Sequence, residues 1–161
     1  MAELAAEFVP LDRRRRLGDP PLRAAERERW ADLRDRLAHE FGYPLPIGPS
    51  RRARHLRVPA GLKVRIGAEG EVATLENLSE GGIFVCCQRP LTPGTALRIS
   101  IESELLDEPL EVDALVVHSR TVANRNGPAG FGALLTGLAP EDAQAIADLV
   151  EGELTAAVQA R

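Results

Sequence analysis

Aromatic side chains are scarce in this chain of 161 residues. One Trp, one Tyr and four Phe make up about 4% of it, so any core has to be built from Leu, Val, Ile and Ala. Cysteine is almost absent. The two present, Cys86 and Cys87, are adjacent. Neighbours on a strand point to opposite faces, so a bridge between them would be strained, and they read as small strand residues. His39, His55 and His118 lie far apart and the cysteines are not spaced as ligands, which argues against a metal site. No Walker-type phosphate loop and no dinucleotide fingerprint occurs. Leu78-Ser79-Glu80-Gly81-Gly82 lacks the glycine two residues ahead of the serine that a nucleophile elbow needs. The N-terminal residues form no apolar leader, and no apolar run approaches the ~20 residues that span a bilayer. A cytoplasmic protein without membrane contact, cofactor or catalytic site is expected, and the glycosylation pattern Asn77-Leu78-Ser79 then carries no meaning.

Charge is unevenly placed. The net value of −4 conceals nine Arg against nine acids in residues 1–50, four Arg and no acid in residues 51–57, and seven basic against fifteen acidic residues in 58–161. Positive charge is therefore local, and a general nucleic-acid surface is not expected.

Four regions follow along the chain. Residues 1–21, with Pro10, the Arg13–Arg16 block, Gly18, Pro20 and Pro21, read as a flexible tail with a solvated arginine run. Residues 22–43 read as an amphipathic helix with Asp19 as its N-cap and Gly42 past its end. Trp30, Leu33, Leu37 and Phe41 form its apolar stripe. That stripe suits packing on the following domain, or pairing with a second copy or a partner helix. Residues 44–50, rich in proline, read as a linker. Residues 51–161 change texture to short apolar stretches separated by turns. Strands are expected at Val58–Ile66, Val72–Leu78, Ile83–Cys87, Leu97–Glu104, Leu110–His118 and Gly130–Thr136, with a polar loop at Asn124–Pro128 and a closing helix from Pro140 to about residue 158. Six short strands at this spacing indicate a small antiparallel barrel or sandwich.

Two segments about twenty residues apart carry the candidate chemistry. Arg51, Arg52, Arg54 and Arg57 crowd the entry to the first strand. A guanidinium pairs bidentately with phosphate or with the O6 and N7 edge of guanine, and its plane stacks on a base. Asn77 and Ser79 alternate on their strand and so face the same way, and Gly81 and Gly82 give the turn after them open backbone. Together the two segments suit a flat, anionic guanine nucleotide. The bland reading is a hairpin turn beside a solvated basic linker.

The stretch from about Arg51 to Val150 resembles the PilZ domain family. "RRARHLRVP" is similar to the family's arginine motif, and "ENLSEGGIFV" to its second motif, complete as Asn77, Ser79 and Gly82. "PLTPGTALRISI", "LVVHSR", "GFGALLTGL" and "APEDAQAIADLV" resemble the segments that follow. The resemblance implies a mainly β fold: a six-stranded antiparallel β-barrel with a C-terminal helix, here with an additional N-terminal helix. It also implies a bacterial receptor that closes its arginine segment over one or two molecules of cyclic di-GMP against the second motif. The arginines depart from the family pattern, which places two of them with three residues between. Counting back from Arg57, that position is Ala53.

Two functions fit. One is a second-messenger receptor that binds cyclic di-GMP through Arg51, Arg52, Arg54, Arg57, Asn77, Ser79, Gly81 and Gly82, and relays the signal to a protein partner, or to a second copy, through the N-terminal helix. The alternative is an adaptor of the same fold that binds no nucleotide and works through protein contacts in motility or polar signalling.

Overall fold

The computed structural model describes residues 1–43, 55–122 and 127–161. Two helices come first, α1 (Ala2–Leu17) and α2 (Ala24–Glu40). Six strands follow: β1 (Val58–Ile66), β2 (Glu71–Ser79), β3 (Gly82–Cys86), β4 (Ala96–Glu102), β5 (Leu110–Arg120) and β6 (Gly130–Thr136). Helix α3 (Pro140–Gln159) ends the chain. The strands close into an antiparallel barrel in the order β1-β2-β3-β6-β5-β4. The expected strands are all present, each within two residues at either end.

Alternation determines which side chains fill the barrel. Val64, Leu75, Val85, Ile99, Ile101, Val112, Ala114, Val116 and Phe131 point inward and are buried, in keeping with period-two strands that have one apolar face. Pro59 has no amide to give to a ladder. The β1–β2 register accordingly breaks between Pro59 and Leu62 and resumes with Leu62 opposite Leu75. Helix α3 begins with Pro140 in its first turn and buries Ile146, Leu149, Val150 and Leu154 against β1, β2 and β5.

The N-terminal region departs from expectation. Residues 2–17, read as a flexible tail, form a helix that passes straight through Pro10. Packing and ion pairs from distant parts of the chain offset the proline. Ala5 and Phe8 are buried, and α1 lies on both α2 and α3. The Arg13–Arg16 run is not simply solvated. Arg13 pairs with Glu151, Arg14 with Glu26 at 2.7 Å, Arg15 with Asp12 and Glu80 at 3.0 Å each, and Arg16 with Asp12 at 3.2 Å and Glu151 at 3.4 Å. The chain therefore has two N-terminal helices where one was expected.

The N-cap of helix α2 is Arg23 rather than Asp19. The Glu26 carboxylate reaches back to accept the Arg23 amide at 2.8 Å, the carboxylate half of a capping box, four residues downstream of the expected start. Past its end, Gly42 takes a left-handed φ of 79°, and the Tyr43 amide bonds the Ala38 carbonyl at 2.9 Å, so the helix stops at a glycine as expected. The stripe is covered within the chain: Leu33 and Leu37 are fully buried, and Trp30 stacks on Phe8 of α1 with ring centroids 6.3 Å apart. The linker at 44–50 and the loop residues Asn124–Asn126 lie outside the described residues. Among the described residues no helix is long and apolar enough to cross a membrane.

Candidate functional site

Arg57 enters β1 and turns its guanidinium across the barrel surface to β2. Its Nη1 donates to the Asn77 side-chain oxygen. Tyr43, just past the end of α2, hydrogen-bonds the same Asn77, and burial pushes its phenol above the usual range. Burial likewise pulls the Arg57 guanidinium below its ordinary value, an effect that nearby Tyr43 opposes. Asn77 itself is buried. A cation, an amide and a phenol from three parts of the chain thus meet at one point on the outer wall.

The turn after β2 is closed by its own serine. The Ser79 hydroxyl accepts the Gly82 amide at 3.1 Å and donates to the Gly82 carbonyl at 3.2 Å, and Ser79 is buried. Gly81 and Gly82 do not take the left-handed backbone that would require glycine. Their missing side chains are what the turn uses. A Cβ on Gly82 would meet the Ala133 carbonyl oxygen at 3.0 Å and Arg57 Nη2 at 3.3 Å, and one on Gly81 would meet His55 Cδ2 at 3.3 Å. Both glycines make room for the basic segment to lie close.

The same turn carries Glu80. His55 Nδ1 lies 3.4 Å from Glu80 Oε2, and Arg15 of α1 pairs with Oε1 at 3.0 Å. Burial works to raise this carboxyl. The His55 hydrogen bond and the charges of Arg15 and Arg16 outweigh it and hold the group below the usual carboxylate range. The turn of the second motif is therefore tied directly to the first helix.

The outer wall continues across three further strands. Asn77 pairs with Phe84, Phe84 with Gly132, and Gly132 with His118, so these four residues form one row over β2, β3, β6 and β5. His118 stacks on Phe84 with centroids 5.8 Å apart and planes at 29°. The Arg120 guanidinium lies 5.0 Å over the same ring, and its Nη1 donates to the Pro128 carbonyl at 3.1 Å. Burial, then the charges of Arg120 and Arg57, hold His118 below the usual imidazole range.

Of the residues singled out in the sequence, Arg57, Asn77, Ser79, Gly81 and Gly82 come together here. Arg51, Arg52 and Arg54 lie outside the described residues. Phe84, His118 and Arg120 share the face and were not among the candidate site residues. The signal that could have found them is Gly130-Phe131-Gly132, which leaves the outer side of one strand bare. Cys86 and Cys87 are free and half-buried, with burial pushing both thiols up. Among the described residues no cluster of His, Cys, Asp and Glu could hold a metal ion.

A model of the PilZ domain family matches residues 50–152. No curated protein matches the chain. Among solved structures, the Bacillus subtilis inhibitor of motility MotI/DgrA is 23% identical, over 66% of this chain and 49% of its own, with a TM-score of 0.50. The PilZ domain of Escherichia coli YcgR with c-di-GMP is 15% identical, over 66% and 94%, at 0.50. The K. pneumonia MrkH–c-di-GMP complex is 15% identical, over 67% and 55%, at 0.56. The match thus spans about half the length of MotI and of MrkH, and at these identities it shows the fold.

Proposed function

Because this chain belongs to the PilZ domain family, we propose that it is a receptor for cyclic di-GMP rather than an enzyme, and that it signals to a protein partner through its N-terminal helices. One observation carries the reading: Arg57 lies against Asn77 and over Gly82, which joins the arginine segment to the second motif on one face of the barrel. An anionic guanine nucleotide would exchange with the Asn77 contact for a guanidinium that burial already disfavours as a cation. Arg51, Arg52 and Arg54 would close over the ligand from the same segment. The solved structures of YcgR and MrkH with c-di-GMP support this ligand class.

The relay rests on Glu80. It sits inside the second motif, and Arg15 of α1 holds it. A ligand that draws the segment around His55 and Arg57 toward itself would disturb the Glu80 pair and loosen α1. The helices would then offer a surface to another protein or to a second copy, in the cytoplasm and without nucleic acid or membrane.

A second reading, an adaptor that binds no nucleotide, is favoured by the arginine spacing and by a Ser79 hydroxyl already engaged in its own turn. Calorimetric titration with cyclic di-GMP, with cyclic di-AMP and GTP as controls, separates the two. The receptor reading expects saturable, selective binding that Arg52→Ala and Ser79→Ala each weaken without unfolding the barrel. Full affinity in both variants would sink the site assignment. No heat from the wild-type chain would leave the adaptor.

A further inference from the structure

Helix α1 is held by parts of the chain that lie beyond its own connection. Ala5 and Phe8 are buried, and Phe8 and Val9 line a small seam with Ala147, Val150 and Leu154 of α3. The ion pairs follow the same pattern. Arg13 and Arg16 reach Glu151 of α3, Arg15 reaches Glu80 in the turn after β2, and Arg14 and Glu7 reach Glu26 and Arg29 of α2. The connection to α2 contributes to none of these contacts. It is exposed from Leu17 to Pro21, with Leu17 at 70%.

This helix is a poor one on its own. Pro10 takes an amide out of its ladder, and isolated helices of about this length are marginal in water. An α1 that leaves its seat therefore either unfolds or takes an equivalent seat. A second copy of the chain carries an identical one, with the same apolar floor and the same carboxylates. We propose that α1 exchanges between two copies, each laying its first helix on α2, α3 and the second-motif turn of the other. The exchange deepens the relay above and rests on that reading only for what loosens α1. It keeps every ion pair of the seat and changes only the path of residues 18–23, which span roughly 20 Å when straightened. Reciprocal exchange of one element is a low-cost route to a twofold dimer. In that dimer Arg15 of one copy would hold Glu80 of the other, so each candidate site would be completed by its partner.

The test reverses charge across the seat. Glu151→Arg spoils the seat for a wild-type α1, and Arg13→Glu with Arg16→Glu spoils α1 for a wild-type seat. Each variant alone should lose Tm and stay monomeric by light scattering. Mixed in equal amounts, the two satisfy both seats only by exchange. The mixture should give a 1:1 dimer of twice the chain mass, with a Tm above that of either variant. A chain carrying all three substitutions matches itself, so it should recover most of the lost Tm, which controls for variants that simply fail to fold. A mixture that stays monomeric while the triple variant recovers would overturn the exchange. A triple variant no more stable than its parents would overturn it as well, by removing these charges from the seat. Neither result touches the receptor reading, which fails separately if the wild-type chain shows no heat with cyclic di-GMP.

Discussion

Gly130 and Gly132, two residues apart on β6, face the same way and differ in what they shield. A side chain on Gly130 would be driven into the Val85 carbonyl of the paired strand, which cannot move without breaking the β3–β6 ladder. One on Gly132 would first meet the His118 ring, the movable end of a side chain. Gly130→Ala is therefore expected to cost about 1–3 kcal/mol, as overpacking does, and Gly132→Ala much less, while displacing His118 from Phe84. Urea denaturation of the two variants gives the first comparison, and the His118 ring resonances the second. At this scale the sequence was partly legible. Asn77, Ser79 and Gly82 announce themselves by spacing, and Arg57 by its neighbours. His118 does not, because the β5–β6 register slips between Val116 and His118. Simple alternation along Leu110–His118 places His118 with the inward residues Val112, Ala114 and Val116. The bulge reverses that phase and brings it outside, opposite Gly132.

Strands and helices differ in how much of their cause is local. The six strands follow from apolar alternation between turn residues, and were readable to within two residues. Helix α1 was not, because a proline and four successive arginines argue against it locally and its partners Glu80 and Glu151 are far away in sequence. Most of its ion pairs are partly exposed and individually weak. Their effect is in placing the helix, with Phe8 and Ala5 supplying burial. This has a pH consequence. The Glu80 carboxyl is held below its ordinary value of 4.5 in the folded chain. Its contribution to stability is thus present above that value and is lost as pH falls through the lower, folded one. Glu80→Gln should lower Tm at neutral pH, and the gap from wild type should shrink on acidification below about pH 4.5. A gap that stays constant with pH would remove Glu80 from the account of α1 docking.

Among the described residues the strands close into a barrel that leaves none of them a free edge, with α3 packed on it and on α1 of the helical pair at the other terminus. The Arg57–Arg120 face carries positive charge on a protein of net charge −4, which favours the approach of an anion to that wall. The helical pair holds the chain's single tryptophan. Trp30 is flanked by two guanidiniums, Arg15 and Arg34, each 4.8 Å from its ring, and its Nε1 donates to Asp12 at 2.9 Å. Arg15 is also the residue that grips Glu80 in the turn of the second motif. One side chain therefore touches both the second motif and the only indole, so the chain carries a built-in optical gauge of the proposed relay. Cyclic di-GMP should change the Trp30 emission in the wild type and leave it nearly unchanged in Arg15→Ala. With one indole there is a single spectrum to read, and the dose at which it moves would report when the turn lets go of the helix.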